Sequence, residues 1–323
     1  MAERSWKKAL PTRSSAPRPR SAPRPSCARS RPPATASIES IQPTRRLPMK
    51  KLIMSAAAAF AALMLIAAPA QAQPKVKEKV SVALAHEPPY TNYQSGGTLS
   101  GAAPDILFRI LKEFGVKELD PKIHEFGAMI PSLQAGRVDV ISTGLYINPA
   151  RCKVVLFSEP DLCTAEGFIV AKGNPKEIRS FADVAAKESV RYGVCGGCSA
   201  EKRATESGVP RARITIAPDH QSGIKMLLDG RIDVYAAPDL ALRAAATAMS
   251  ATDRVEVLQV AGEPAKCSGV AFRNDQRELR DAFDQKLKAL KDSGEYDTIV
   301  AKYGFDPSLA KSTSRATLCG GPN

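Results

Sequence analysis

Tryptophan is almost missing: the single Trp among 323 residues is Trp6, so the body of the chain has no indole to report on its surroundings. Long apolar runs are equally scarce. One extends from Leu52 to Ala68, and no later run reaches the ~20 residues of a membrane span. Excess positive charge is also missing where it would matter. The chain holds 46 Lys+Arg against 33 Asp+Glu, a net of +13 that by itself points to nucleic acid or acidic lipid. Yet the first 72 residues contain 13 of the basic residues and 2 of the acidic ones, leaving 33 against 31 for residues 73–323. That near-neutral body has no basic stripe of the kind phosphate backbones require, which argues against a nucleic-acid partner.

The basic N-terminal part divides in two. Residues 1–48 are rich in Arg, Pro and Ser, as in Pro17-Arg18-Pro19-Arg20, with no hydrophobic period. Such a segment cannot build a core. The expectation is that it is upstream sequence and that Met49 is the true start, with a real, disordered extended leader as the alternative. Met49-Lys50-Lys51, the apolar run and Ala70-Gln71-Ala72 then form a signal peptide over 49–72, with cleavage after Ala72. No Cys stands at that junction to carry a lipid, so free export into a periplasm is expected. The remaining chain of about 250 residues suffices for two lobes with separate cores.

Cysteine usage fits an oxidising compartment. Cys27 belongs to the leader, and Cys152, Cys163, Cys195, Cys198, Cys267 and Cys319 remain. Six cysteines allow fifteen complete pairings, and spacing does not choose among them. Cys195-Gly196-Gly197-Cys198 is a Cys-x-x-Cys pair, which marks a redox site, half a zinc site or a local disulfide. A second pair at zinc spacing and a thioredoxin-like context are both lacking, so a local disulfide stiffening the loop is the favoured expectation, with no metal and no cofactor.

Along the body, strands alternate with helices. Val80–Ala85 alternates as a strand, and Ile106, Leu107, Ile110, Leu111 and Phe114 recur at helical spacing before Gly115. Ile123–Phe126 reads as a short strand, Ala128–Ala135 as a helix, and Val138–Thr143 as a strand. This order predicts parallel sheets. Gly136-Arg137-Val138-Asp139-Val140 returns as Gly230-Arg231-Ile232-Asp233-Val234, each copy after a helical stretch. One copy per lobe suits two similar α/β lobes. Gly269–Phe272 and the amphipathic stretch Leu279–Leu290 are expected to return to the first lobe. Two crossovers would then form a hinge, with ligand between the lobes at the carboxyl ends of the strands.

The stretch Gly144-Leu145-Tyr146-Ile147-Asn148-Pro149-Ala150-Arg151 follows a predicted strand. An Arg there can grip a carboxylate with two parallel hydrogen bonds, although a surface ion pair is the default for an Arg taken alone. Gly196-Gly197-Cys198-Ser199 precedes a helix start whose free N–H groups suit the same anion.

With these segments the chain resembles the family 3, polar amino acid type, solute-binding proteins of ABC importers, and within them the ectoine and hydroxyectoine branch. The resemblance is carried by Glu87-Pro88-Pro89-Tyr90, Ala102-Ala103-Pro104-Asp105, Glu125 to Pro131, Gly144 to Arg151, Asp219 to Gly223, Asp229 to Tyr235, Tyr303-Gly304-Phe305 and Leu318-Cys319. It implies a two-lobe type II periplasmic binding protein fold with a two-strand hinge. The expected boundaries are 73–162 for the first part of lobe 1, 163–263 for lobe 2, 264–305 for the return to lobe 1, and 306–323 for a tail.

The resemblance also implies roles. Tyr90, Phe126 and Tyr146 match an aromatic box around a cationic ring. Glu87 matches the acid that pairs with that cation, and Arg151 the carboxylate clamp, with Asn148, Gly197 and Ser199 beside them. General amino-acid binders usually have a small hydroxyl residue in place of Tyr146 and an acid in place of Pro238. Both departures suit ectoine, a cyclic amidine with delocalised charge and no primary ammonium. Aromatic faces attract such a weakly hydrated cation by roughly 0.5–2 kcal/mol per contact. The resemblance further implies disulfides Cys267–Cys319 and Cys152–Cys163.

The expected partners are thus a small zwitterion and an inner-membrane ABC permease with its ATPase, and the protein is expected to be monomeric. A polar or cationic amino acid or a betaine is the alternative ligand, with His220, Asp219 and Asp239 unplaced. A dehydratase of cyclic acids on the same fold would need an acid–base pair, for which Glu87 with His86 is the one to nominate.

Overall fold

Val80, Val82 and Leu84 are buried, and with them the strand Lys79–Leu84 becomes an interior strand of a sheet. The computed structural model describes residues 74–94, 97–321 and 323. The expected leader, signal peptide and cleavage point lie outside the described residues. In chain order the strands are β1 (Lys79–Leu84), β2 (Asn92–Tyr93), β3 (Leu99–Ser100), β4 (Glu118–Ile123), β5 (Val140–Ile141), β6 (Leu156–Phe157) and β7 (Leu162–Thr164). They continue with β8 (Glu166–Ala171), β9 (Tyr192–Cys195), β10 (Ile214–Ala217), β11 (Val234–Pro238), β12 (Val255–Gln259), β13 (Lys266–Ser268) and β14 (Ala271–Phe272).

Two five-stranded sheets result, in the orders β4-β1-β5-β14-β6 and β10-β9-β11-β8-β12. Each centres its own lobe, and the fold is α/β as expected. The cores are separate too. Ile106, Phe272, Phe283 and Leu287 pack in lobe 1, while Phe168, Phe181, Tyr192 and Val194 pack in lobe 2.

The sheets are mixed rather than parallel. β1 runs parallel to β4 and β5, and β9 parallel to β10 and β11, through helical crossovers. β14 runs antiparallel to β5 and β6, and β8 antiparallel to β11 and β12. The reason lies in the hinge. β7 and β13 pair antiparallel with each other, and each lobe's antiparallel strand follows a hinge strand within two residues, leaving no room for a crossover helix.

Most elements fall where the periodicity puts them. The helix Ala102–Leu111 runs on through a 3₁₀ turn to Phe114 and stops at Gly115, whose φ of 87° is left-handed. The helix Arg277–Asp292 buries Phe283, Leu287 and Leu290 on one face. One expectation shifts: Phe126 begins a 3₁₀ turn, and the strand expected there lies earlier, at β4. β4 is an edge strand reading Glu-Leu-Asp-Pro-Lys-Ile, polar and Pro-bearing, so it carries no hydrophobic signal; an edge tolerates Pro.

The disulfides correct the pairing implied by resemblance. Cys163 sits directly opposite Cys267 across the two hinge strands, and these two are joined. Cys152 is joined to Cys319, so the C-terminal helix Arg315–Cys319 is tied to the short helix Pro149–Cys152. Asn323 adds to this tie, donating to the carbonyls of Cys152 and Val155 and accepting from Phe157 N–H. The local bridge Cys195–Cys198 is present as expected.

Candidate functional site

Strand ends dictate the site. β1 ends at Leu84, and the loop beyond it is pinched by paired backbone bonds between Glu87 and Thr91. This pinch turns the Glu87 side chain inward, where it is buried. Thr143 donates to its Oε2 at 3.3 Å, and His220 Nε2 lies 3.1 Å from its Oε1. The other ring nitrogen, Nδ1, lies 3.1 Å from the Tyr235 hydroxyl, so the imidazole links Glu87 to Tyr235. Gly144 makes room beside this group, because a Cβ there would come within 2.8 Å of Glu87 Oε2 and would push the carboxylate from its place.

Arg151 stands on the helix Pro149–Cys152. Asn148 caps that helix by accepting Arg151 N–H at 3.0 Å, and Pro149 occupies the first turn. The guanidinium donates to the Tyr146 carbonyl at 2.8 Å and, across the cleft, to the Gly197 carbonyl at 3.0 Å. It lies 5.4 Å from the centre of the Phe126 ring. Burial pulls it down to about 10, opposed by Tyr146 and Glu87, so it stays charged at neutral pH.

The second lobe answers with a loop and a helix N-terminus. β9 ends at Cys195, the Cys195–Cys198 bridge closes the turn, and Ser199 begins the helix Ser199–Glu206. Gly197 has φ 75°, and its N–H is taken by Glu201 at 2.8 Å. A Cβ on Gly197 would stand 2.8 Å from Gly127 Cα, so the lobes meet backbone to backbone. Together with Arg151–Gly197 and Glu87–His220, this contact defines a closed cleft.

Between the lobes lies a cavity of about 20 Å³, so the closed cleft is nearly filled by the side chains that line it. Glu87, Phe126, Gly144, Tyr146 and Arg151 line it from lobe 1; Glu166, Cys195, Cys198, Ser199, Ala200 and Ala236 to Pro238 line it from lobe 2. Of the residues expected from sequence, Glu87, Phe126, Tyr146, Arg151 and Ser199 therefore come together. Three others stand back from the wall. Tyr90 is fully buried behind it, with its ring edge-on to Phe305 at 4.8 Å. Asn148 serves as the cap of the Arg151 helix, and Gly197 meets Arg151 through its carbonyl.

The unplaced residues also find positions. Asp219 caps the helix His220–Leu228 by accepting Ser222 N–H at 2.7 Å. Asp239 is buried against Thr164 and Gln259, away from the cavity wall. The imidazole on Glu87 belongs to His220, while His86 is exposed, so the Glu87–His86 pair does not form. Glu166 was missed. Its signal is an acid inside the apolar stretch Leu162 to Val170, where a solvated charge has no place.

Comparison with known proteins agrees with this geometry. A probable amino-acid ABC transporter periplasmic-binding protein of Sinorhizobium fredii is 29% identical over 289 residues, covering 85% of this chain and 95% of the relative. The crystal structure of EhuB in complex with hydroxyectoine is 47% identical, with a TM-score of 0.73, covering 75% of this chain and 94% of that one. An ancestral arginine-binding protein bound to arginine is 27% identical, with a TM-score of 0.62, covering 71% and 99%. Residues 80–306 match the family model, and the chain belongs to the bacterial extracellular solute-binding proteins, family 3.

Proposed function

We propose that the protein captures ectoine or hydroxyectoine in a periplasm and delivers it to an ABC permease with its ATPase. The observation that carries this reading is one small, closed cavity holding Arg151, two aromatic walls and a buried carboxylate together. The 47% identity to a protein crystallised with hydroxyectoine supports it. In this reading Arg151 and the first N–H groups of the Ser199–Glu206 helix hold the carboxylate. Phe126 and Tyr146 flank the amidinium, and Glu87 neutralises it. Tyr90 acts from behind, packing the Tyr146 side of the box. Contacts from both lobes on one ligand make the closed state the better binder, which drives closure.

Export through the signal peptide 49–72 and action as a monomeric, non-enzymatic receptor complete the proposal. A second ligand class is favoured by the arginine-bound ancestral structure and by a lysine/arginine/ornithine-binding periplasmic protein of Escherichia coli, 27% identical over 226 residues. Calorimetric titration with ectoine, arginine, proline and glycine betaine separates the two. Saturable ectoine binding supports the proposal. Heat with arginine alone keeps the receptor role and overturns the ligand.

A further inference from the structure

Glu166 is the feature of the cleft that the roles above leave unused. It is the first residue of β8, directly after the hinge, and its backbone pairs with Pro238. Only 3% of its surface is exposed, yet it lines the ligand cavity. Glu87 lines the same cavity from lobe 1 and is engaged by Thr143 and His220. Among the described residues the Glu166 carboxylate has no hydrogen-bonded partner. A buried carboxylate without a partner costs several kcal/mol in its charged form unless something positive meets it.

We infer that Glu166 is a second cation-binding group of this site, supplied by lobe 2, and that it selects cations bearing at least two N–H donors. The inference rests on the proposed receptor role. A delocalised amidinium has two N–H groups pointing in different directions. One reaches Glu87 and the other Glu166, so the cation itself bridges the lobes. A trimethylammonium carries the same charge with no N–H and leaves the Glu166 carboxylate without a hydrogen-bond donor, while Glu87 keeps only Thr143 and His220. Glycine betaine is therefore rejected by desolvation rather than by size.

The surroundings of Glu166 give this a pH signature. Burial pushes its carboxyl up to about 7; Lys266 opposes the rise, and Glu263, Glu87 and Asp239 add to it. Arg151 lines the same cavity. A ligand cation lowers the pKa again, so binding at or below pH 7 expels a proton. Affinity then falls about tenfold per pH unit below 7 and is flat above it.

The test is calorimetry of the intact protein with ectoine at pH 6 and pH 8, in pairs of buffers of different ionisation enthalpy, on the wild type and on Glu166→Gln. The expected result is release of most of one proton at pH 6 and little at pH 8. In Glu166→Gln the proton release disappears, and affinity at pH 8 falls about tenfold or more. Ectoine binding by the wild type with no linked proton, or undiminished binding at pH 8 by Glu166→Gln, overturns the inference and leaves the receptor role standing. Absence of ectoine binding by the wild type overturns the receptor reading and this inference with it.

Discussion

In lobe 1, Gly136 turns the chain out of a helix at φ 68°, and Asp139 accepts Ser81 N–H as β5 begins. In lobe 2, Gly230 does so at φ 69°, and Asp233 accepts Arg191 N–H as β11 begins. Each new strand then lies parallel to the lobe's first parallel strand, β1 or β9. The repeated Gly-Arg-x-Asp-Val phrase is thus one structural joint used twice. The cleft faces share no such identity. Lobe 1 contributes the aromatic rings and the guanidinium, while lobe 2 contributes small side chains, a bridged turn and Glu166. A common scaffold therefore carries two different cleft faces, and in the proposed reading lobe 1 recognises while lobe 2 closes and checks.

Breaking the lobe 1 face produces the largest effect. Arg151→Ala removes the clamp and frees the Tyr146 and Gly197 carbonyls inside a buried site. Ligand affinity is expected to drop a hundredfold or more, from a loss of about 3 kcal/mol or greater, measured by calorimetry. The hinge disulfide comes next, acting on stability rather than recognition. Cys163 and Cys267 are 104 residues apart, so replacing both by Ser removes about 2–4 kcal/mol by denaturant titration. Cys195 and Cys198, three residues apart, close a loop too short for that effect. Their double Ser variant is expected to keep its stability and lose affinity instead.

Smaller changes sharpen the division. Tyr146→Ala removes one aromatic wall, with an expected loss of about tenfold in affinity. Gly197→Ala places a side chain at a left-handed φ and against Gly127. It leaves lobe 1 intact and opposes closure, so affinity falls several-fold while the unfolding midpoint changes little. The smallest effect concerns the shared joint. Burial raises the Asp233 carboxyl, but Arg191 and Lys176 outweigh it and bring it down to about 2. A depressed carboxyl stabilises above its unfolded pKa and loses that contribution as pH falls toward 2. Asp233→Asn is expected to cost about 1 kcal/mol at pH 7 and to flatten the stability profile between pH 4 and 2.

The scaffold was legible because apolar periodicity and the repeated joint are local signals. Arg151 was legible because a predicted strand end precedes it, and Phe126 and Tyr146 through family likeness. The remainder depends on contacts distant in sequence. β4 hides as a polar edge strand. Cys152 finds Cys319 across 167 residues, a choice that spacing cannot make. His220 meets Glu87 from the other lobe, 133 residues away, and Glu166 is a cleft residue only because β8 starts at the hinge. Tyr90 shares its surroundings with Tyr146 and Glu87, yet one layer of packing separates it from the cavity, a distinction no sequence pattern records.

The most direct test of the clamp between unlike lobes is a crystal structure of the protein grown with ectoine. The account predicts the carboxylate within hydrogen-bond distance of Arg151 and the ring between Phe126 and Tyr146, with Gly127 still against Gly197. A ligand carboxylate held away from Arg151, or a ring outside the two aromatic walls, would contradict it.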